Sequence, residues 1–150
     1  MPKNPNKIII YTDGGSRGNP GPAAIGVVIC NDKNQPTKKY SEYIEEATNN
    51  EAEYSAVIFA LKKVRALFGK EKIKTMEIKI RLDSELVAKQ LNHQYKIQEE
   101  NLGKLFLKIW NLLLDFGKVS FKQIKREENQ EADRLVNEAL DGQSASQKLF

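Results

Sequence analysis

The chain has 150 residues, of which 40% are hydrophobic and 29% charged, with a formal net charge of +4. That is one domain's worth of sequence with enough apolar content to bury a core, and its mild positive charge is compatible with a polyanionic partner without demanding one. No run of about 18 apolar residues is present, which excludes a membrane-spanning helix, and a single cysteine, Cys30, excludes an internal disulfide framework.

The short polar segment Met1 to Lys7 lacks the apolar stretch of a signal peptide, so a reducing, cytoplasmic location is expected. Residues 1–6 are expected to form a loose tail. Ile8-Ile9-Ile10-Tyr11 is apolar on both sides of the backbone and predicts a strand covered on both faces. It leads directly to Asp13, after which Gly14, Gly15, Gly18 and Gly21 with Pro20 and Pro22 predict a turn whose backbone a bulky ligand can approach. Ala23 to Cys30 is a second apolar strand, Asn31 to Pro36 a polar turn, and Thr37 to Ile44 a more exposed third strand. Short connections between three strands predict an antiparallel meander.

From Asn50 the period changes. Val57, Ala60, Leu61, Val64, Leu67 and Phe68 mark one face of a helix that stops before Gly69. One turn back from Val57 lies Glu53, a carboxylate on the core-facing side. Met76 to Asp83 alternates strictly and predicts a fourth strand, parallel to the first through a βαβ crossover. Ser84 to about Asn92 suits a short helix capped by Ser84 or Asp83, and His93 to Glu100 a polar connection. Leu102, Leu105, Phe106, Ile109, Leu112, Leu113 and Phe116 carry the strongest helical stripe. Gly117 ends it, Lys118 to Ile124 is a fifth strand, and Lys125 to Asn129 a charged loop. Ala132, Leu135, Val136, Ala139 and Leu140 mark a last helix stopped by Asp141-Gly142, with residues 143–150 a second loose tail.

Four carboxylates stand out by position. Asp13 and Asp83 end strands, Glu53 lies on the inner side of a helix, and Asp133 sits in the first turns of the last helix. Singly, Asp83 reads as an N-cap and Asp133 as a complement to its helix dipole. Glu53 resists such a reading because an unpaired buried carboxylate is costly. Four acids at element ends without matching histidines or cysteines point to shared divalent cations, and oxygen-only ligands suit Mg2+ or Mn2+ rather than zinc.

The ordered set TDGGSRGNPG (12–21), TNNEAEY (48–54), LDSE (82–85) and ENQEAD (128–133) resembles type 1 ribonuclease H over about residues 7–140. The resemblance implies an α/β, ribonuclease H-like fold: a five-stranded mixed sheet with strands 1–3 antiparallel and strands 4 and 5 parallel, flanked by helices, in a single domain spanning 1–150. It implies an endonuclease that cuts the RNA strand of RNA–DNA hybrids by a two-metal mechanism, leaving 5′-phosphate and 3′-hydroxyl ends, in a protein expected to be monomeric. Asp13, Glu53, Asp83 and Asp133 would hold two Mg2+ ions per site, with Mn2+ as a substitute. Gly14, Gly15, Ser16, Asn19, Asn49, Asn50 and Ser84 would touch the substrate, the amides supplying both donors and acceptors for a ribose 2′-hydroxyl. Asn50 reads equally as a helix N-cap.

The chain also departs from the family's pattern. The segment between Asn92 and Asn101 is too short for the basic handle many members use to grip the hybrid, so the sequence looks like a handle-less form. Grip is then expected from other cations, Lys89, Lys96, Lys104 and Lys108 being candidates that read equally as a solvated helix face. The loop before the last helix lacks the histidine that many members carry, and Arg126 is the candidate to replace it near the scissile phosphate. Glu85 stands where an uncharged amide is common. Two alternatives stay open: additional cleavage of double-stranded RNA, as in some handle-less relatives, and a catalytically weak hybrid-binding module. Gln147-Lys148-Leu149-Phe150 has the composition of a tail that docks on a replication partner, although packing on its own domain or a free tail is the plainer reading.

Overall fold

The computed structural model describes residues 6–148, with side chains to residue 143. Strands β1 (Lys7–Ser16), β2 (Gly21–Cys30) and β3 (Pro36–Ala47) form the antiparallel meander. Helix α1 (Asn49–Phe68) and the single turn α2 (Lys70–Ile73) lead to β4 (Glu77–Leu82). Helices α3 (Glu85–Leu91) and α4 (Glu100–Leu113) precede β5 (Lys118–Gln123). A 3-10 turn at Arg126–Glu128 feeds α5 (Gln130–Lys148). The sheet order is β3-β2-β1-β4-β5; β4 runs parallel to β1, as the crossover predicts, and to β5, as the resemblance implies.

Pleating divides the apolar run at the start of β1 between two layers. Ile8 and Ile10 join the larger core formed with α1, α3 and α4, around Tyr54, Leu61, Ile78 and Leu102. Ile9 faces the other way and packs with Val28, Cys30 and Leu135 beneath α5. The strand is therefore covered on both faces, and Cys30 is a buried free thiol in the smaller core.

Two glycines let the helices approach. A Cβ built on Gly14 would sit 2.2 Å from the Ala52 carbonyl oxygen of α1, and one on Gly26 would sit 2.2 Å from the Ala132 carbonyl oxygen of α5. Only a residue without a side chain fits either gap. Gly26 is the β2 partner of Asp13, and Gly14 is the next residue along β1. One helix is thus brought close on each face of the sheet, level with the same aspartate.

Several boundaries differ from expectation. β1 does not end at Asp13: its ladder with β2 runs on to Ser16 opposite Ala23, while its parallel pairing with β4 reaches only Tyr11 opposite Arg81. Asp13 therefore lies just past the point where β1 and β4 part. α1 is capped by Thr48, not Asn50, in a reciprocal box with Glu51. Ser84, rather than Asp83, caps α3 by accepting from the Val87 N–H at 3.2 Å. The expected tail at 143–150 is corrected as well. α5 continues through Asp141-Gly142 to Lys148, because Gly142 does not adopt the left-handed conformation that ends helices and merely sits in the turn at a modest propensity cost. Residues 1–5 lie outside the described residues, whereas the Asn6 carbonyl already accepts from the Glu77 N–H at 2.7 Å. Leu149 and Phe150, and the side chains of Gln147 and Lys148, also lie outside the described residues, with the docking tail proposed for them.

Candidate active site

The fork between β1 and β4 opens into a cleft of about 440 Å³. Asp13 reaches it from β1, Glu53 from the second turn of α1, Asp83 from the residue after β4, and Asp133 from the first turn of α5. One carboxylate oxygen each from Asp13, Glu53 and Asp83 lie within 4.8 Å of one another. Asp13 and Glu53 are only 7% and 6% exposed, while Asp133 stands at the exposed rim.

Few donors offset this charge. Glu53 Oε1 accepts from the Gly14 N–H at 3.2 Å, whereas its Oε2 is buried without a partner. Burial pushes the Asp13 carboxyl up from 3.8 to about 7; a hydrogen bond with Glu53 opposes the rise, and the charges of Asp83 and Asp133 add to it. Burial likewise drives Glu53 well above the ordinary carboxylate range, and the charge of Asp13 reinforces the effect. A cluster that resists ionisation on its own, with a buried carboxylate oxygen left over, matches the donor set of a hard divalent cation.

Asn129 is the site residue that the sequence pattern does not reveal. It is 1% exposed, and its Nδ2 donates at 2.9 Å both to Asp83 Oδ2 and to the Thr12 carbonyl. Its own carbonyl accepts from the Asp133 N–H at 3.2 Å. One asparagine thus ties β1, Asp83 and the start of α5 together. An Asn just before a helix reads as a cap, so only its position four residues ahead of Asp133 hints at more.

Most of the expected substrate residues line the cleft, Gly14, Gly15, Ser16, Asn49, Asn50 and Ser84, as does the catalytic candidate Arg126. Asn19 does not; its Oδ1 accepts from the Asn49 N–H at 2.9 Å, bracing the start of α1. Asn49 is also engaged through its Oδ1, which accepts from the Ser16 N–H at 2.8 Å. These bonds leave the side-chain N–H groups of both asparagines for other partners. Arg126 is exposed on the 3-10 turn opposite. Arg17, Val136, Asn137 and Leu140 complete the lining. Away from the cleft, Glu85 accepts from Tyr95 Oη at 2.8 Å and pairs with Lys89 at 3.5 Å, so its charge is countered locally. Lys104 likewise pairs with Glu100 at 3.8 Å.

A family model described as reverse transcriptase-like matches residues 11–139. Ribonuclease HI of Halobacterium salinarum is 39% identical over 141 residues, covering 94% of this chain and 68% of the relative. The chain belongs to the ribonuclease H family. Among solved structures, LC11-RNase H1, isolated from compost by a metagenomic approach, shares 48% identity with a TM-score of 0.86, over 91% of this chain and 97% of that one. That RNase H1 is also known in complex with an RNA/DNA hybrid, and there shares 47% identity over 90% of this chain, again with a TM-score of 0.86. A bifunctional protein of Mycobacterium tuberculosis is 35% identical over 141 residues; this chain spans 37% of its length. Each of the ribonuclease H motifs at 12–21, 48–54, 82–85 and 128–133 contributes residues to the cleft lining. Among the described residues no helix is long and apolar enough to cross a membrane.

Proposed function

We propose that this protein, acting as a single ribonuclease H domain, hydrolyses the RNA strand of RNA–DNA hybrids with two divalent cations, Mg2+ or Mn2+. The observation that carries the reading is the convergence of Asp13, Glu53 and Asp83 oxygens within 4.8 Å on the floor of an open cleft that Asp133 also lines. These four acids would hold the ions. Bound there, such ions activate a water and stabilise the departing 3′ oxygen, which leaves 5′-phosphate and 3′-hydroxyl ends.

The protein's own part is placement. Asp13, at the fork of the sheet, would be the shared ligand, with Glu53, Asp83 and Asp133 completing the set of carboxylates that would hold the ions. Asn129 fixes the carboxylate plane of Asp83 through its 2.9 Å bond. Gly14, Gly15 and Ser16 form a floor without bulky side chains. Asn49 and Asn50 present amides suited to a ribose 2′-hydroxyl, which distinguishes RNA from DNA. Ser84 and Arg126 flank the phosphate to be cut.

The test is cleavage of end-labelled RNA–DNA hybrid, RNA duplex and DNA duplex with Mg2+, Mn2+ or EDTA. Hybrid RNA is expected to be cut only with a divalent ion, and Asp13→Asn to abolish the reaction. Equal inertness of wild type and Asp13→Asn would overturn the reading. Cleavage of the RNA duplex would broaden the substrate range to double-stranded RNA.

A further inference from the structure

We propose that Arg17 grips a backbone phosphate of the bound duplex, and that Asp141 holds its guanidinium in place until the phosphate arrives. The inference rests on the hybrid-cleaving reading of the cleft and supplies the grip that a chain without a basic handle needs.

A cleft walled by four carboxylates repels a polyanion, and among the described residues only two cations line it, Arg17 and Arg126. Arg17 sits on the β1–β2 turn, directly after Ser16 on the cleft floor. Its backbone is pinned within the turn. The Arg17 N–H donates to the Pro22 carbonyl at 2.8 Å, and a Cβ on Gly21 would lie 2.4 Å from the Arg17 carbonyl oxygen, so the turn is folded tightly against itself. Beside it, Ser16 N–H is held by Asn49 at 2.8 Å. The Arg17 side chain reaches across the cleft mouth to Asp141 of α5, Nη2 to Oδ1 at 2.6 Å.

Asp141 lies on α5, one turn beyond the Val136 and Asn137 that line the cleft. The pair is solvated, with side-chain exposures of 44% and 70%. Exposed ion pairs of this kind contribute little net stability, so exchanging the carboxylate for a phosphate is cheap. A guanidinium also matches phosphate oxygens with two parallel N–H donors. The pair thus stores the guanidinium at the cleft mouth, extended and ready for a duplex backbone. Its structural alternative is a plain tether between the turn and α5.

The two roles separate by salt dependence. The experiment measures KM and kcat on a labelled hybrid with Mg2+ from 50 to 200 mM salt, together with thermal melts, for wild type, Arg17→Ala, Arg17→Lys and Asp141→Asn. Loss of one phosphate contact is expected to make the dependence of log KM on log salt shallower by about 0.7–0.9. Arg17→Ala should raise KM several-fold, more than it lowers kcat, and Arg17→Lys should recover part of the loss. Asp141→Asn, which removes the intramolecular competitor, should lower KM while keeping the salt slope. An unchanged slope in Arg17→Ala would overturn the proposal, as would matching losses in Arg17→Ala and Asp141→Asn, the signature of a tether. A wild type inert on hybrid would instead overturn the hybrid-cleaving reading.

Discussion

Replacing Gly26 with alanine tests how the sheet builds the site. Gly26 is not in the cleft, yet it lies opposite Asp13 on β2, and a Cβ there would come within 2.2 Å of the Ala132 carbonyl and 3.0 Å of Leu135 Cβ. Real Cβ atoms essentially never approach closer than 3.0 Å, so the helix must retreat by at least 0.8 Å. The obstacle is a backbone carbonyl, which has no rotamer to change, so α5 moves as a body and carries Asp133 with it. Overpacking of this sort costs about 1–3 kcal/mol of stability. A displacement of roughly 1 Å among reacting groups can cost about 100-fold in rate. Urea unfolding and single-turnover cleavage of a labelled hybrid measure the two effects separately. The expected result is a folded protein with a lower urea midpoint and a rate reduced by one to two orders of magnitude. A Gly26→Ala protein with wild-type stability and rate would refute the claim that this glycine sets the distance between α5 and Asp13.

Further outcomes follow from the same geometry. Asn129→Ala strands Asp83 Oδ2 and the Thr12 carbonyl, and should cost about 1–3 kcal/mol in urea unfolding. It should also weaken Mg2+ binding by about 10- to 100-fold in calorimetric titration, whereas unchanged affinity would remove Asn129 from the site. Glu53→Gln replaces a buried, half-satisfied carboxylate with a neutral group, so the metal-free protein should melt higher while hybrid cleavage is lost. The pH dependence has a definite sign. Asp13 titrates at 3.8 unfolded and about 7 folded, so between these values the folded state binds more protons. The stability of the metal-free protein is therefore fully present below pH 3.8 as far as this group is concerned, and is lost as pH rises toward 7, by at most about 4 kcal/mol. Saturating Mg2+ should reverse the trend, because binding displaces those protons. Chemical unfolding at pH 5 and pH 8, with EDTA or Mg2+, checks both signs.

Much of this arrangement is legible in the sequence because its chemistry coincides with changes of period. The strict alternation of Glu77 to Leu82 places Asp83 at a strand end, and the stripe through Val57 and Leu61 turns Glu53 inward. What escapes is set by contacts between distant segments. Nothing local tells an asparagine that caps a helix from Asn129, whose partners Thr12 and Asp83 lie 117 and 46 residues away. Gly142 resembles a stop signal, but glycine permits a helix end without enforcing one. The Asp13-Gly14-Gly15 segment resembles a turn, yet it stays in the β2 ladder, with Gly14 leaving room for α1 while Gly26 opposite Asp13 leaves room for α5.

The central claim is that Asp13, Glu53, Asp83 and Asp133 form one cation site, and anomalous scattering from crystals grown with Mn2+ and an RNA–DNA hybrid tests it most directly. The account predicts two manganese peaks, one among Asp13, Glu53 and Asp83 and a second between Asp13 and Asp133, with the scissile phosphate of the RNA strand beside them. A map without a peak at Asp13, or with manganese bound only elsewhere on the protein, would contradict it.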